Sequence, residues 1–447
     1  MSKYKNKYEM MASAPVEPLI LKMSIPTIIT MLVSAVYNMA DSFFVGRIDT
    51  SSVASIGIVF SIMTLLQAVG FFLGHGSGIM LSTMLGKKDF DKAGRYANTA
   101  FLLSIIVGIV LALAGVIIST KLAYLLGATD TTVKSASDYL KYILLGSPFI
   151  LASFVLNNHL RYQGSALYSM IGIMSGSLLN IALDPVFIFK LSLGVKGAAV
   201  ATVISQIVGF IVLIAGTYRN GNIRLNLKFF TPSGEIVSNI CKNGLPSLSR
   251  QGVMTIGNIC LNYASGQFGD AAVAGMSVFN RVMFIGMAVI IGIGQGYQPV
   301  CAFNYGAQNY KRVYDGYKYI VITSTTFISL FAIICFIFAP EIISIFRDDT
   351  QVVNFGAKAL RAECIVMPIT GYYMSSNMLV QSIRIPSTAT LLALSRQGLF
   401  YIPLILILPR VIGESGVAYT QAFSDFLSFL LTLIIVPKIV KKIRQKI

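Results

Sequence analysis

Apolar runs long enough to cross a bilayer recur along the whole chain, separated by short stretches where glycine, proline and charge cluster. A hydrocarbon core about 30 Å thick needs roughly 18 or more apolar residues in a helix. Runs such as Phe101 to Ile118 and Ile320 to Phe338 meet that length. The breaks predict helices near 19–43, 53–83, 96–118, 136–158, 167–189 and 197–217, with six more between Leu245 and Val436. The expected fold class is all-α and integral to a membrane, with twelve transmembrane helices.

The second half of the chain repeats the first. Ile25-Pro26 recurs as Leu245-Pro246, Val53-Ala54 as Val273-Ala274 and Leu85-Gly86 as Tyr305-Gly306, at a constant offset of 220. Pro148 and Asn157 pair with Pro368 and Asn377 at the same offset, which then slips so that Gly194 and Gly197 pair with Gly413 and Gly416. Two six-helix lobes related by a pseudo-twofold axis along the membrane normal follow. The expected division is an N-terminal tail over 1–18, an N-lobe over 19–217, a linker over 218–244 marked by Pro232-Ser233-Gly234, a C-lobe over 245–436 and a basic tail over 437–447.

Composition agrees, because 55% hydrophobic and 12% charged residues give a mean hydropathy of +0.74, far from the roughly 25% charge of soluble chains. The net charge of +17 sits in alternate loops. These hold Lys87, Lys88, Lys92 and Arg95, then Arg161, then Arg219, Arg224, Lys228 and Lys242, then Lys311, Arg312 and Lys318, and the tail adds Lys438, Lys441, Lys442, Arg444 and Lys446. The positive-inside rule therefore puts both termini in the cytoplasm and removes nucleic acid as a partner. The five cysteines, Cys241, Cys260, Cys301, Cys335 and Cys364, have no metal-site or disulfide spacing. Lys3, Lys5 and Lys7 precede a long apolar segment without a small-residue cleavage site, which reads as a retained first helix.

An ionised carboxylate in the middle of a membrane helix costs about 2.5–3.5 kcal/mol on insertion scales, so Asp41 and Asp184 call for a reason. Tyr37 and Asn38 share a helical face with Asp41 and make a polar stripe, and Asn180 and Asp184 are one turn apart. Pro185 has no N–H to give the Ile181 carbonyl, and Thr202 and Gln206 form a similar pair in the sixth helix. Two carboxylates, an amide, a hydroxyl and a freed carbonyl suit sodium or a proton, and neighbouring carboxylates raise one another's proton affinity. The repeat puts Leu261 opposite Asp41, and Ile402-Pro403 opposite Asp184-Pro185. Carboxylates present in one copy only point to a coupling site, where packing alone would favour both copies.

Several stretches in order resemble the multidrug and toxic compound extrusion (MATE) family across essentially the whole chain. They are Tyr37-Asn38-Met39-Ala40-Asp41 with Val45-Gly46, the Gly-rich end of the second helix, Leu85-Gly86-Lys87-Lys88, Asn180 with Asp184-Pro185, and Ser395-Arg396-Gln397 followed by Pro403 and Leu408-Pro409. The resemblance implies a secondary antiporter with two lobes around a central cavity, exporting amphipathic, mainly cationic compounds against inward H+ or Na+. It implies that Asp41, Asn180, Asp184 and Thr202 hold the cation or proton, and that Tyr37 and Asn157 lie in or near the substrate cavity. Asn38 and Gln206 are placed with that cavity. A monomer in the plasma membrane, with no organic cofactor, no ATPase subunit and no metal beyond a possible Na+, completes the expectation.

Some branches of that family place coupling acids in the seventh and tenth helices. This chain has no acid between Leu245 and Gly266, and Glu363 is expected to pair with nearby Arg361. Arg396 and Asp425 are expected to neutralise one another, and His75, in Gly74-His75-Gly76, to make a polar packing contact like its repeat mate Gln295. The rival within this fold space is a flippase for a lipid-linked oligosaccharide precursor, whose anionic headgroup would call for inward-facing Arg or Lys that the first lobe almost lacks. An enzyme is disfavoured because no catalytic constellation is visible, and no nucleotide-binding Gly-Lys motif is present.

Overall fold

The computed structural model describes residues 7–45, 50–219 and 222–447, without the side chains of 38–43, 45, 50–54, 56 and 58. Every element among the described residues is helical. In the first lobe the spans are Val16–Val45, Thr50–Gly86, Phe90–Leu125, a fourth made of Val133–Leu145 and Ser147–Tyr162 bent by 51°, Ala166–Pro185 continuing as a π-helical turn Val186–Lys190, and Gly194–Thr217. In the second lobe they are Gly234–Gly266, Asp270–Gly306, Tyr310–Ile337, Thr350–Ser382, an eleventh made of Pro386–Leu394, the π-helical turn Ser395–Leu399 and Tyr401–Ile412, and Glu414–Arg444. The chain has twelve spans in two lobes of six.

Two of those spans, the seventh and the tenth, are too polar to be recognised as membrane-crossing by apolarity alone. In the tenth the reason is visible: Thr370, Ser375, Ser376, Asn377 and Gln381 are all buried in protein. A helix whose polar side chains face protein does not need lipid-like hydropathy. The bend in the fourth span falls at Gly146-Ser147-Pro148, where Pro148 opens a new helix and Ser147 Oγ donates to the Gly108 and Leu144 carbonyls. A Cβ on Gly108 would run into Pro148, so the third span can approach the bend only through glycine.

The repeat extends to the backbone. Lys88 and Gln308 both adopt left-handed φ, 62° and 58°, in the turn after the second span of each lobe. The next residues, Asp89 and Asn309, then cap the following helix by accepting from the Lys92 and Arg312 N–H groups at 3.0 and 3.4 Å. Gly164 (φ 80°) and Arg384 (φ 66°) form a second such pair, at the same offset. Non-glycine residues are uncommon in this region, so the matched angles mark a shared chain path.

Contacts divide the chain at other points than the apolar runs do. One unit holds Ile25–Leu248 with the segment ending at Ala14, and the other holds Pro15–Ser24 with Ser249–Ile447. The seventh span begins inside the stretch expected as linker, at Gly234, and its first half belongs to the first unit. What precedes it is anchored on the third span, where Asn226 N–H donates to Asn98 Oδ1 at 2.7 Å and Thr231 N–H to Thr99 Oγ1 at 3.1 Å.

Candidate functional site

The fifth and sixth spans approach closely because glycine lines their contact. A Cβ on Gly176 would press on the Ser205 carbonyl, one on Gly209 on the Gly172 carbonyl, and one on Gly172 on the Leu213 side chain. That approach brings Asn180 of the fifth span to Thr202 of the sixth, with the side-chain amide 3.3 Å from Thr202 Oγ1. Asp184 lies one turn beyond Asn180. All three side chains are shielded, with exposures of 1% for Asn180, 0% for Asp184 and 1% for Thr202.

The neighbours fix the orientation of the Asn180 amide: its nitrogen donates to Asp184 Oδ2 at 3.0 Å, and its oxygen accepts from the Thr202 N–H at 3.2 Å and lies 3.3 Å from Thr202 Oγ1. Turned the other way, the amide would set its nitrogen against the Thr202 N–H and its oxygen against the Asp184 carboxylate. Thr202 Oγ1 also donates to the Ala198 carbonyl at 2.9 Å. Just past Asp184, Pro185 has no N–H for the Ile181 carbonyl and the helix widens into the π-helical turn Val186–Lys190.

Gln206 is half-buried one turn beyond Thr202, and Tyr37 in the first span is buried. Asp41 and Asn38 stand in the helix Val16–Val45, but their side chains lie outside the described residues. Asn157 Nδ2 donates to Ser169 Oγ at 2.6 Å and to the Ser169 carbonyl at 3.2 Å, tying the fourth span to the fifth. Its repeat mate Asn377 donates to the Ala389 carbonyl at 3.1 Å, tying the tenth to the eleventh.

His75 holds a contact between spans, as its glycine neighbours suggest. Arg161 Nη2 donates to its Nε2 at 2.9 Å and to Asn158 Oδ1 at 2.5 Å, so the other ring nitrogen, Nδ1, carries the proton and donates to Ser247 Oγ at 2.7 Å. Arg161, expected in a solvated loop, is instead buried in this network.

The second lobe holds a charge cluster that the sequence misassigned. Arg396, in the π-helical turn of the eleventh span, makes a bidentate pair with Asp425 at 2.8 and 2.9 Å, as expected. Glu363 does not pair with Arg361, which donates to the Phe336 carbonyl and lies over the Phe336 ring. Two positions along a helix point in widely different directions, so Glu363 turns inward while Arg361 turns out. Glu363 is 1% exposed, stands 4.0 Å from Arg396, and among the described residues neither of its carboxylate oxygens has a hydrogen-bond partner. Among the described residues no three His, Cys, Asp or Glu side chains group as a transition-metal site.

The MatE family model matches residues 26–186 and again 246–407, once in each lobe. The chain is 28% identical over 415 residues to the multidrug export protein MepA of Staphylococcus haemolyticus, covering 92% of this chain and 91% of that protein. It is 27% identical to MepA of Staphylococcus aureus strain MSSA476 over 425 residues, 95% and 94% of the two chains. Its fold matches a MATE solved in complex with MaL6 at a TM-score of 0.93 and 25% identity, over 100% of both chains.

Proposed function

The chain belongs to the MatE family of multi-pass membrane transporters, which carry small organic compounds and are not enzymes, and from that premise we propose a secondary antiporter coupled through the first lobe. It exports amphipathic, mainly cationic compounds across the plasma membrane in exchange for inward H+ or Na+, as a monomer with both termini in the cytoplasm. Asp41, Asn180, Asp184 and Thr202 hold the ion, and Tyr37, Asn38, Asn157 and Gln206 face the substrate.

The observation that carries this reading is the wholly buried Asp184, met by the Asn180 amide nitrogen 3.0 Å from its Oδ2. A buried carboxylate is stable only when its charge is met, by a proton, a cation or hydrogen bonds. Ionised Asp184 accepts from the Asn180 amide, whose oxygen faces Thr202 across the contact of the fifth and sixth spans. A proton or cation on Asp184 weakens that charge-assisted hydrogen bond, so the link between the two spans differs between the states. An ion biases a conformational equilibrium only through such a difference in affinity, and export follows if bound compound favours the opposite state.

Purified protein in liposomes loaded with a fluorescent organic cation tests this. Release on imposing a proton or a sodium gradient is expected, and Asp184→Asn, which holds the neutral state, is expected to reduce it by about tenfold or more, the size of a 1.4 kcal/mol effect. Gradient-driven release that Asp184→Asn leaves intact would remove the carboxylate from the mechanism. No gradient-driven release at all would favour the flippase for a lipid-linked oligosaccharide precursor.

A second reading places coupling in the second lobe, favoured by one observation: Arg396 is already neutralised by Asp425, so Glu363 leaves the buried cluster one negative charge in excess. A proton or monovalent cation on Glu363 would balance it. Under this reading Glu363→Gln abolishes gradient-driven release and Asp184→Asn spares much of it; under the first the order is reversed.

A further inference from the structure

A groove of about 800 Å³ opens on the second lobe between the ninth, tenth and twelfth spans. One end is basic and aromatic, formed by Tyr314, Lys318, Tyr372, Lys441 and Arg444, and Val321, Ile322 and Val440 supply an apolar wall. The Arg444 guanidinium lies 5.6 Å from the centre of the Tyr314 ring, so one face is held by the aromatic and its N–H edges remain free to donate. Lys318, Lys441 and Arg444 are exposed, and among the described residues none of them, nor neighbouring Asp315, forms an ion pair.

We propose that this groove binds the headgroup of an anionic phospholipid, with the phosphate held by Lys318, Lys441 and Arg444 and an acyl chain running along Val321 and Ile322. Three cations with no carboxylate partner complement a phosphodiester, whose oxygens match the fixed fork of a guanidinium. The apolar wall decides between a lipid and a free phosphate, because a soluble anion would leave it wet. The place is also right: these residues stand where the twelfth span ends in its basic tail, and basic groups at the ends of membrane helices meet the headgroup layer. Nothing in this site depends on which lobe carries the coupling ion.

Native mass spectrometry of the full-length protein in detergent, titrated with phosphatidylglycerol and separately with phosphatidylcholine, tests the proposal. The first phosphatidylglycerol should bind tighter than phosphatidylcholine by about fivefold or more, the worth of one cation near a lipid phosphate. The triple substitution Lys318→Ala, Lys441→Ala and Arg444→Ala should erase that preference, while Lys87→Ala with Lys88→Ala, in a basic turn of the first lobe, should leave it. Glycerol phosphate at equal concentration should not displace the lipid. Unchanged preference in the triple variant, equal loss in the first-lobe variant, or displacement by glycerol phosphate would each overturn the assignment.

Discussion

Single side chains in this molecule are informative where burial and charge disagree. Lys7 is one such case outside the membrane spans. Its ammonium donates to Ser165 Oγ at 2.6 Å and Asn222 Oδ1 at 2.9 Å and lies 5.4 Å from the centre of the Tyr168 ring, with no carboxylate among its described partners. Partial burial lowers its pKa from 10.5 to about 8. The docked helix Lys7–Ser13 thus prefers the neutral amine, while the undocked segment keeps its proton up to about 10.5. Docking should be weakest and constant below pH 8 and should tighten as pH rises from 8 toward 10.5, where the undocked state binds more protons. Hydrogen exchange of residues 8–13, corrected for the intrinsic pH dependence, should show protection increasing across that window. Protection falling there would mean that the hydrogen bonds to Ser165 and Asn222 favour the ammonium more than burial disfavours it.

Elements were legible in the sequence to the extent that their apolar faces met lipid. The ninth span, Tyr310–Ile337, declares itself by hydropathy, whereas the tenth hides its crossing because its polar face is buried in protein. The polar pairs Asn180 with Asp184 and Thr202 with Gln206 were visible because helical spacing is local. The approach of their two helices was not, since it depends on which small residues meet across the contact. Gly176 is the point to test: Gly176→Ala places a methyl against the Ser205 carbonyl and should separate Asn180 from Thr202. Overpacking of this kind costs about 1–3 kcal/mol, so the melting temperature should drop by a few degrees. Gradient-driven release should fall further than the loss of folded protein explains. Transport that tracks folded protein alone would confine Gly176 to packing. Glu363 shows the opposite failure, because nearness in sequence suggested Arg361, while the partner that faces it, Arg396, comes from the eleventh span.

Across the whole molecule, the repeat separates what holds the fold from what distinguishes one lobe. Positions that keep their chemistry at an offset of 220 do structural work in both copies, as the caps Asp89 and Asn309 and the amides Asn157 and Asn377 do. Gly76 and Gly296 belong to the same class. A Cβ on Gly76 would strike the Ile240 carbonyl and the Gly244 nitrogen of the seventh span, and one on Gly296 would strike Ser24 of the first, where Ser24 and Gly244 are themselves repeat mates. Asp184 and Glu363, by contrast, have no acidic counterpart in the other lobe. Gly76→Ala and Gly296→Ala should therefore lower the melting temperature by similar amounts, corresponding to about 1–3 kcal/mol each. Asp184→Asn keeps the side-chain volume and its hydrogen-bonding partner, so it should leave the melting temperature nearly unchanged while stopping transport. Thermal melts of the three purified variants in one detergent check the contrast. Unequal glycine effects would show that the lobes tolerate strain differently despite a common chain path, and a large loss in Asp184→Asn would make the carboxylate part of what keeps the fifth and sixth spans together.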